Sequence, residues 1–295
     1  MRRVACGLTL ALLAVSAGQI LAAPLTILYT NDLHLRFDRL ESLGAMIDAE
    51  RATGEPLLLL DAGDAWQDTR VPYGFVWGAD EMVEWMNSVR YDAMALGNHE
   101  MYWGPARLDE LAAAANFPML CSNLVPTARW AAPFIPRFLM EIGGLRILLI
   151  GAVTRYHLPY PDFPWLRYID PAEAIRRVLD DSEDPYDLLI ALGHVSTRRA
   201  IEIVQSVPEI DLFVTGHSHE ETIEPIRRGE SLIVQAGAFA RKLGRLRLDV
   251  ADGVASVVSN ELLSTETASV DWDRGRQALA GVVLALLAAT LLVLL

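Results

Sequence analysis

The chain is 295 residues long, 52% hydrophobic, and carries a formal net charge of −13. That length allows one large domain or two small ones, with ample apolar content for a core. The acidic balance excludes a non-specific nucleic-acid binder, which needs an excess of basic side chains to neutralise phosphates.

The chain opens with Arg2 and Arg3, an apolar run, and small residues up to Ala22 and Ala23. This is the pattern of a secretory signal peptide over residues 1–23, cleaved near Ala22 or Ala23, and it predicts export. An uncleaved N-terminal anchor is the alternative. Once such a signal is removed, Cys121 is the single cysteine, so no intramolecular disulfide can form. Within "FPMLCSNL" it reads as a small packed hydrophobe.

From residue 24 to 263 strand-like and helix-like patterns alternate. "LTILYTND" predicts a strand and "RLESLGAMIDAER" a helix, by the spacing of its apolar residues. "PLLLLDAGD" is a buried strand ending in carboxylates. "ADEMVEWMNSVR" is a helix, "YDAMALGNHE" a strand, "PARLDELAAAANF" a helix with Pro at its start, and "PMLCSNL" a strand. "RFLMEIGGLRILLIGAV" predicts a hairpin turning at Gly143-Gly144. "PAEAIRRVLDD", "YDLLIALGHV", "TRRAIEIVQSV" and "EIDLFVTGHSHE" continue the alternation. "SLIVQAG", "LGRLRLDV" and "VASVVSNEL" close it with strands. Such alternation predicts an α/β domain with helices packed outside sheets. A polar stretch, residues 264–277, reads as a linker. Residues 278–295 carry no charge and, at ~1.5 Å per residue, nearly match a ~30 Å hydrocarbon core. They predict a C-terminal membrane anchor, with a processed sorting tail as the alternative.

Five of the six histidines stand just beyond an apolar strand-like run. Ligands of open α/β sheets gather at the carboxyl ends of strands. Five such ends carry Asp32 and His34, Asp64, Asn98 and His99, His194, and His217 and His219. Asp32-x-His34 and His217-x-His219 have the period-two spacing of a strand, which would turn both members of each pair to one side. A single such His or Asp reads as an ordinary turn or packing residue, but that reading must cover the same coincidence five times. Carboxylate, amide and imidazole together suit Mn, Zn or Fe rather than Ca or a thiolate-bound Zn. The donors are too many for one tetrahedral ion and suit two ions sharing a bridging carboxylate. Such a pair, ~3.5–4 Å apart, can clamp an in-line phosphoryl displacement and activate a bridging hydroxide.

"YTNDLH", "DAGD", "ALGNHE", "LGHVS" and "TGHSHE" occur in the order and spacing of calcineurin-like metallophosphoesterases. With "FPMLCSNLV" and "VQAGAFARKLGRLRLDV", the chain most resembles the 5'-nucleotidase and UDP-sugar hydrolase branch, from about Leu25 to Val250. The resemblance implies a four-layer αββα sandwich. It implies that Asp32, His34, Asp64 and His219 hold one metal and that Asp64, Asn98, His194 and His217 hold the other, with Asp64 bridging. It implies that His99 faces substrate, stabilises the transition state and protonates the leaving group. Glu100 then reads as a hydrogen-bond support or a helix start.

Two features depart from that branch. Tyr102 stands where an Asp usually orients the catalytic His, and Asp68 stands where a Gly is usual; either could take over the orienting role. "DAWQ" and "MYWG" are similar to relatives that hydrolyse thiosulfate from a carrier protein. Nucleotidases also carry a further C-terminal domain that binds the nucleoside, whereas here a linker and an apolar segment follow, so weak base discrimination is expected. Arg155 and His157 follow a strand and could reach an anionic substrate; a solvated loop is the alternative. Trp66, Trp77, Trp85 and Trp103 read as core or rim packing. Together these expectations describe an exported, membrane-tethered, dinuclear phosphoesterase acting on a small-molecule phosphate ester. A thiosulfohydrolase-like enzyme for a carrier-bound group and a non-catalytic metal-binding partner protein are the alternatives. The oligomeric state is left open.

Overall fold

The computed structural model describes residues 22–66, 78–127, 130–156, 166–251 and 253–266. The expected signal peptide up to residue 21, the linker beyond Glu266 and the apolar segment 278–295 lie outside these residues. No helix among the described residues is long and apolar enough to cross a membrane.

Strands β1 (Ala23–Thr30), β2 (Leu57–Asp61), β3 (Ala93–Ala95) and β4 (Met119–Leu120) run parallel to one another. Strand β13 (Lys242–Ala251) adds antiparallel to β1, and β14 (Val254–Ser264) adds to β13, giving a six-stranded sheet ordered β14-β13-β1-β2-β3-β4. A second six-stranded sheet has a parallel centre of β12 (Ser231–Val234), β10 (Leu212–Thr215), β9 (Leu188–His194) and β7 (Leu145–Val153). Its antiparallel edges are β11 (Ile226–Arg228) and β6 (Arg137–Ile142). The β6–β7 hairpin turns at Gly143 and Gly144, both at positive φ (61° and 83°), where a side chain would be strained. A small pair, β5 (Leu124–Pro126) and β8 (Leu166–Tyr168), lies apart.

The leucine run of β2 shows why the layers form. Leu58 and Leu60 point into a core between the two sheets, with Ile27 and Tyr29 on one side and Leu149, Ile190 and Val214 on the other. Leu59 points the opposite way, onto helices. A strand buried on both faces needs apolar residues at both parities, hence a run instead of an alternation. Helices α1 (Phe37–Arg51), α2 (Gly78–Ser88) and α3 (Gly104–Ala114) cover the outer face of the first sheet through residues such as Leu43, Met82 and Leu111. Helices α4 (Pro171–Asp180) and α5 (Thr197–Ser206) cover the second through Ile175, Ile203 and Val204. Asp170 caps α4 by accepting the Ala172 N–H at 2.9 Å, with Pro171 in the first turn. The result is a four-layer αββα sandwich.

One local expectation needed correction. "PMLCSNL" is not one strand: β4 and β5 are separated at Cys121, Ser122 and Asn123. The buried Asn123 side chain breaks the ladder by accepting the Val153 N–H and donating to the Val153 carbonyl, both at 2.8 Å. The short strands β8 and β11 carry no run that their sequences announce.

Candidate metal centre

Strands β1, β2, β3, β9 and β10 all end on one rim, and the polar residues flagged by their spacing stand there. The pairs Asp32/His34 and His217/His219 lie past the ends of β1 and β10, so strand alternation does not align them. Instead Asp32, His34, Asp64, His217 and His219 all adopt left-handed backbone conformations, with φ between 48° and 69°. Each such residue other than glycine costs roughly 1–2 kcal/mol, and their concentration at one rim marks a functional site. The loops after β1 and β2 impose the conformation on each other: Asp32, His34 and Leu35 donate their N–H groups to the carbonyls of Gly63, Asp64 and Ala65 at 2.9, 3.0 and 3.1 Å.

The side chains converge. Asp32, His34 and His219 form one group whose ligand atoms lie within 4.8 Å of one another; Asp64, His194 and His217 form a second by the same measure. His219 Nε2 is 3.1 Å from Asp32 Oδ1, and His194 Nε2 is 2.9 Å from Asp64 Oδ2. His194 Nδ1 faces the Ala62 carbonyl at 2.8 Å, which requires that nitrogen to carry the proton and leaves Nε2 to bind. Asp32 Oδ2 accepts from the Asn31 side chain at 2.7 Å and the His217 N–H at 2.9 Å, while Asp64 Oδ1 accepts the His99 N–H at 2.8 Å. Asp32 Oδ1, Asn98 Oδ1 and His194 Nε2 are buried and have no hydrogen-bond partner among the described residues. Buried polar atoms are normally paired. Asp32 Oδ1 and His194 Nε2 lie 3.9 Å apart, and with Asn98 Oδ1 they leave a carboxylate, an amide and an imidazole without partners at the strand-end rim, a set that fits divalent metal ions.

Electrostatics agree with a centre that demands cations. Burial alone pushes the Asp64 carboxyl up, but His194 and His99 outweigh it and hold it at about 2. Asp32 is likewise held far below the carboxylate range against its burial, by His194, His219 and His34. Burial lowers His194, but the Asp64 and Asp32 carboxylates raise it to about 10. Without a metal, the site keeps a proton as its substitute cation.

Glu100 fills the hydrogen-bond supporting role expected of it, and two further supporting residues, Asn31 and Asp61, become visible only here. Glu100, fully buried, takes four backbone N–H groups: Asp64 and Gly97 on Oε2 at 2.9 and 2.8 Å, Ala65 and Trp66 on Oε1 at 2.9 and 3.1 Å. One carboxylate thus ties the loop of Asp64 to the loop of Asn98. A Cβ on Gly97 would sit 2.2 Å from Asp64 Oδ1, so this closure needs glycine there. Asn31 donates to Asp32 and accepts the Ala236 N–H at 2.8 Å, clamping β1's end to the loop after β12. Asp61 lies beneath, accepting from Thr30 at 2.6 Å and the Gly63 N–H at 2.8 Å; burial pushes it well above the carboxylate range. Asn31 and Asp61 sit beside flagged residues in "YTND" and "DAGD", which was the one available signal.

His99 is half-buried, with Nε2 3.8 Å from Asp64 Oδ2. Its Nδ1 is buried without a hydrogen-bond partner among the described residues. Tyr102 places its ring edge-on to the His99 ring at 5.0 Å and 87°. Its phenol is raised by burial and by Asp64, and a hydrogen bond with the Asn98 side chain opposes this. Tyr102 therefore packs on His99 and hydrogen-bonds Asn98. Asp68, His157 and Trp77 lie outside the described residues. Arg155 is exposed, with its guanidinium 5.8 Å from the Tyr168 ring centroid. Trp66 is fully buried and Trp85 packs against the same helical core, in keeping with packing roles. Cys121 is buried, and burial lifts its thiol to about 12, which makes it inert.

Comparison with known proteins gives the same direction. The profile of the calcineurin-like phosphoesterase family matches residues 25–221. A snake venom 5'-nucleotidase from Crotalus adamanteus is 31% identical over an alignment covering 89% of this chain and 51% of the relative. The chain thus spans about half the length of the curated relatives it matches. A 5'-nucleotidase precursor from Thermus thermophilus superposes with a TM-score of 0.75 at 24% identity, over 90% of this chain and 60% of the other. A sulfate thiohydrolase from the Thermus genus superposes with a TM-score of 0.69 at 20% identity, over 81% of this chain and 56% of the other. Matched along residues 25–221 and carrying its carboxylate, amide and imidazole groups on one rim of strand ends, the chain belongs to the calcineurin-like phosphoesterase family.

Proposed function

We propose that the chain is a dinuclear metal-dependent phosphoesterase of the 5'-nucleotidase type, acting outside the cytoplasmic membrane. The observation that carries this is the set of orphaned buried donors, Asp32 Oδ1, Asn98 Oδ1 and His194 Nε2, among three overlapping histidine-carboxylate groups, Asp32/His34/His219, Asp64/His194/His217 and His34/Asp64/His99. Asp32, His34, Asp64 and His219 would hold one divalent ion, and Asp64, Asn98, His194 and His217 the other. When bound, such ions supply Lewis acidity toward a phosphoryl group and lower the pKa of water.

The chain's own residues do the rest. Asp64 offers Oδ2 to the centre while its Oδ1 is held by the His99 N–H, so the carboxylate is fixed in direction. Glu100 keeps Asp64 and Asn98 at constant separation by binding the backbone of both loops. His99, at the rim and partly open to solvent, is placed to hold a proton near the leaving oxygen. Buried carboxylates that resist protonation keep the centre ready for cations at neutral pH.

Placement follows from both ends of the sequence: a signal at residues 1–23 and an anchor at 278–295 would tether residues 24–263 to the outer face of the membrane. Fractionation of the full chain, with and without residues 278–295, tests this. Turnover of an aryl phosphate monoester by the Mn-loaded full chain, absent after chelation, tests the activity. The stretches "DAWQ" and "MYWG" favour one second reading, hydrolysis of a carrier-bound group. Release of sulfate from a cysteine S-sulfonate peptide, without turnover of the aryl phosphate, would select it.

A further inference from the structure

Directly after β12, one side chain joins two loops of the metal centre. Gln235 is fully buried. The Glu220 N–H reaches its Oε1 at 2.7 Å. A backbone N–H can only donate, so this end of the amide is the carbonyl. Nε2 then donates to Thr197 Oγ1 and to Ser218 Oγ, each at 3.0 Å. Both amide protons and the carbonyl oxygen are thereby engaged, as a buried amide requires. Gln235 lies beyond residues 25–221, the stretch that the family profile matches.

Its partners flank the ligands. Ser218 and Glu220 are the two neighbours of His219, so one amide holds the loop on both sides of that histidine. His217 and His219 both have left-handed backbone, at φ 69° and 57°. Such a loop needs outside contacts to outweigh its local cost. Thr197 opens α5 just past His194 at the end of β9. Its N–H, which has no partner within the helix, donates to Ser218 Oγ at 3.2 Å. Backbone contacts extend the grip. The Gln235 N–H donates to Thr222 Oγ1 at 2.7 Å, and its carbonyl accepts the Thr222 N–H at 3.0 Å. The Gly237 N–H donates to the Glu220 carbonyl at 2.9 Å. An apolar side chain of similar length would fill the space at position 235. It would leave the Glu220 N–H and two hydroxyls without their amide partner.

We propose that Gln235 is a positioning residue of the metal centre: it sets the His217–His219 loop against the start of α5, and so fixes where His219 presents its imidazole beside Asp32 and His34. This rests on the reading of Asp32, His34 and His219 as metal ligands. Among the described residues the Gln235 amide bonds to no ligand side chain, so it acts through the neighbours of His219. Supports of this kind change metal affinity by roughly 10–100-fold.

Titration of the full chain with Mn, with bound and free ion separated by their paramagnetic resonance, tests this without turnover. Wild type, Gln235→Met, His219→Asn and the double variant are compared. Asn tolerates the left-handed backbone at position 219, and Met matches the length of Gln without its hydrogen bonds. Gln235→Met should weaken Mn binding about tenfold in the wild-type background. In the His219→Asn background its effect should fall within about twofold, because residues that act as a unit are non-additive. An equal loss in both backgrounds would mean that Gln235 supports the fold at large, and would overturn the role. Unchanged affinity in Gln235→Met would overturn it too. Should Gln235→Met fail to fold, Ser218→Ala, which removes one partner of the amide, enters the same comparison under the same criteria. If His219→Asn binds Mn as wild type does, the ligand assignment falls and this role with it. A weakened His219→Asn beside an unchanged Gln235→Met removes the positioning role alone.

Discussion

His194 and Asp64 face each other across 2.9 Å, Nε2 to Oδ2, without the alignment of a hydrogen bond. The neighbouring carboxylates hold a proton on His194 in the metal-free protein. The carboxylates of Asp64 and Asp32 outweigh burial and raise His194 from its usual 6.5 to about 10. A raised folded-state pKa stabilises the metal-free protein fully below pH ~6.5, and that contribution is lost as pH rises through about 10. Metal must displace this proton, so affinity should increase with pH across the same window. Calorimetric titration with Mn in two buffers of different ionisation enthalpy should show proton release at pH 7. Equal heats in both buffers would contradict the protonated His194.

Asp64→Asn should remove activity and weaken both metals, because one carboxylate serves both groups of ligands. Asn tolerates the left-handed backbone that Asp64 adopts at φ 60°, so the substitution tests charge and not strain. Metal content should fall well below two ions per chain. A full pair retained would refute the bridging assignment.

Glu100→Gln should destabilise the fold by about 2–6 kcal/mol. An amide can accept on only one of its two heads, so two of the four backbone N–H groups lose their acceptor, at ~1–3 kcal/mol each. Urea unfolding of the metal-free protein measures it. Stability within about 0.5 kcal/mol of wild type, the usual scatter for a surface change, would mean that the two loops close without this carboxylate.

His99→Asn should lower kcat by about 10²–10⁴ with both metals bound, the range for a general acid–base group. Tyr102→Phe should act through Asn98, where its hydroxyl is engaged. Its effect should therefore persist in the His99→Asn background and be accompanied by weaker metal binding. Asp68→Asn, if Asp68 orients His99, should instead lose its effect in that background, since residues that act as a unit are non-additive. Persistence of the Asp68 effect would exclude the orienting role.

Ending the chain near Thr265 should leave a soluble protein with its metal centre intact. Strand β14 closes at Ser264, and Thr265 still donates its N–H to the Arg241 carbonyl at 3.0 Å. Sedimentation of the truncated and full chains without detergent measures the difference. A truncated form that still requires detergent would contradict the proposed anchor.

The sequence by itself determined the alternation of strands and helices, because burial on one or two faces dictates where apolar residues recur. It also determined which residues stand at the strand ends: "TNDLH", "DAGD", "GNHE" and "TGHSH" each follow an apolar run, and each run is a buried strand. The β6–β7 turn was equally legible, since two adjacent glycines at positive φ are a local signal. What only the tertiary structure decided is how those ends meet. Strand spacing suggested that Asp32 and His34 share a side by alternation, yet left-handed backbone turns them, held by hydrogen bonds to Gly63 and Asp64 across 31 and 30 positions of sequence. The four backbone partners of Glu100 and the clamp of Asn31 were illegible for the same reason. Each joins loops distant in sequence, and a backbone donor leaves no mark in the residue that supplies it.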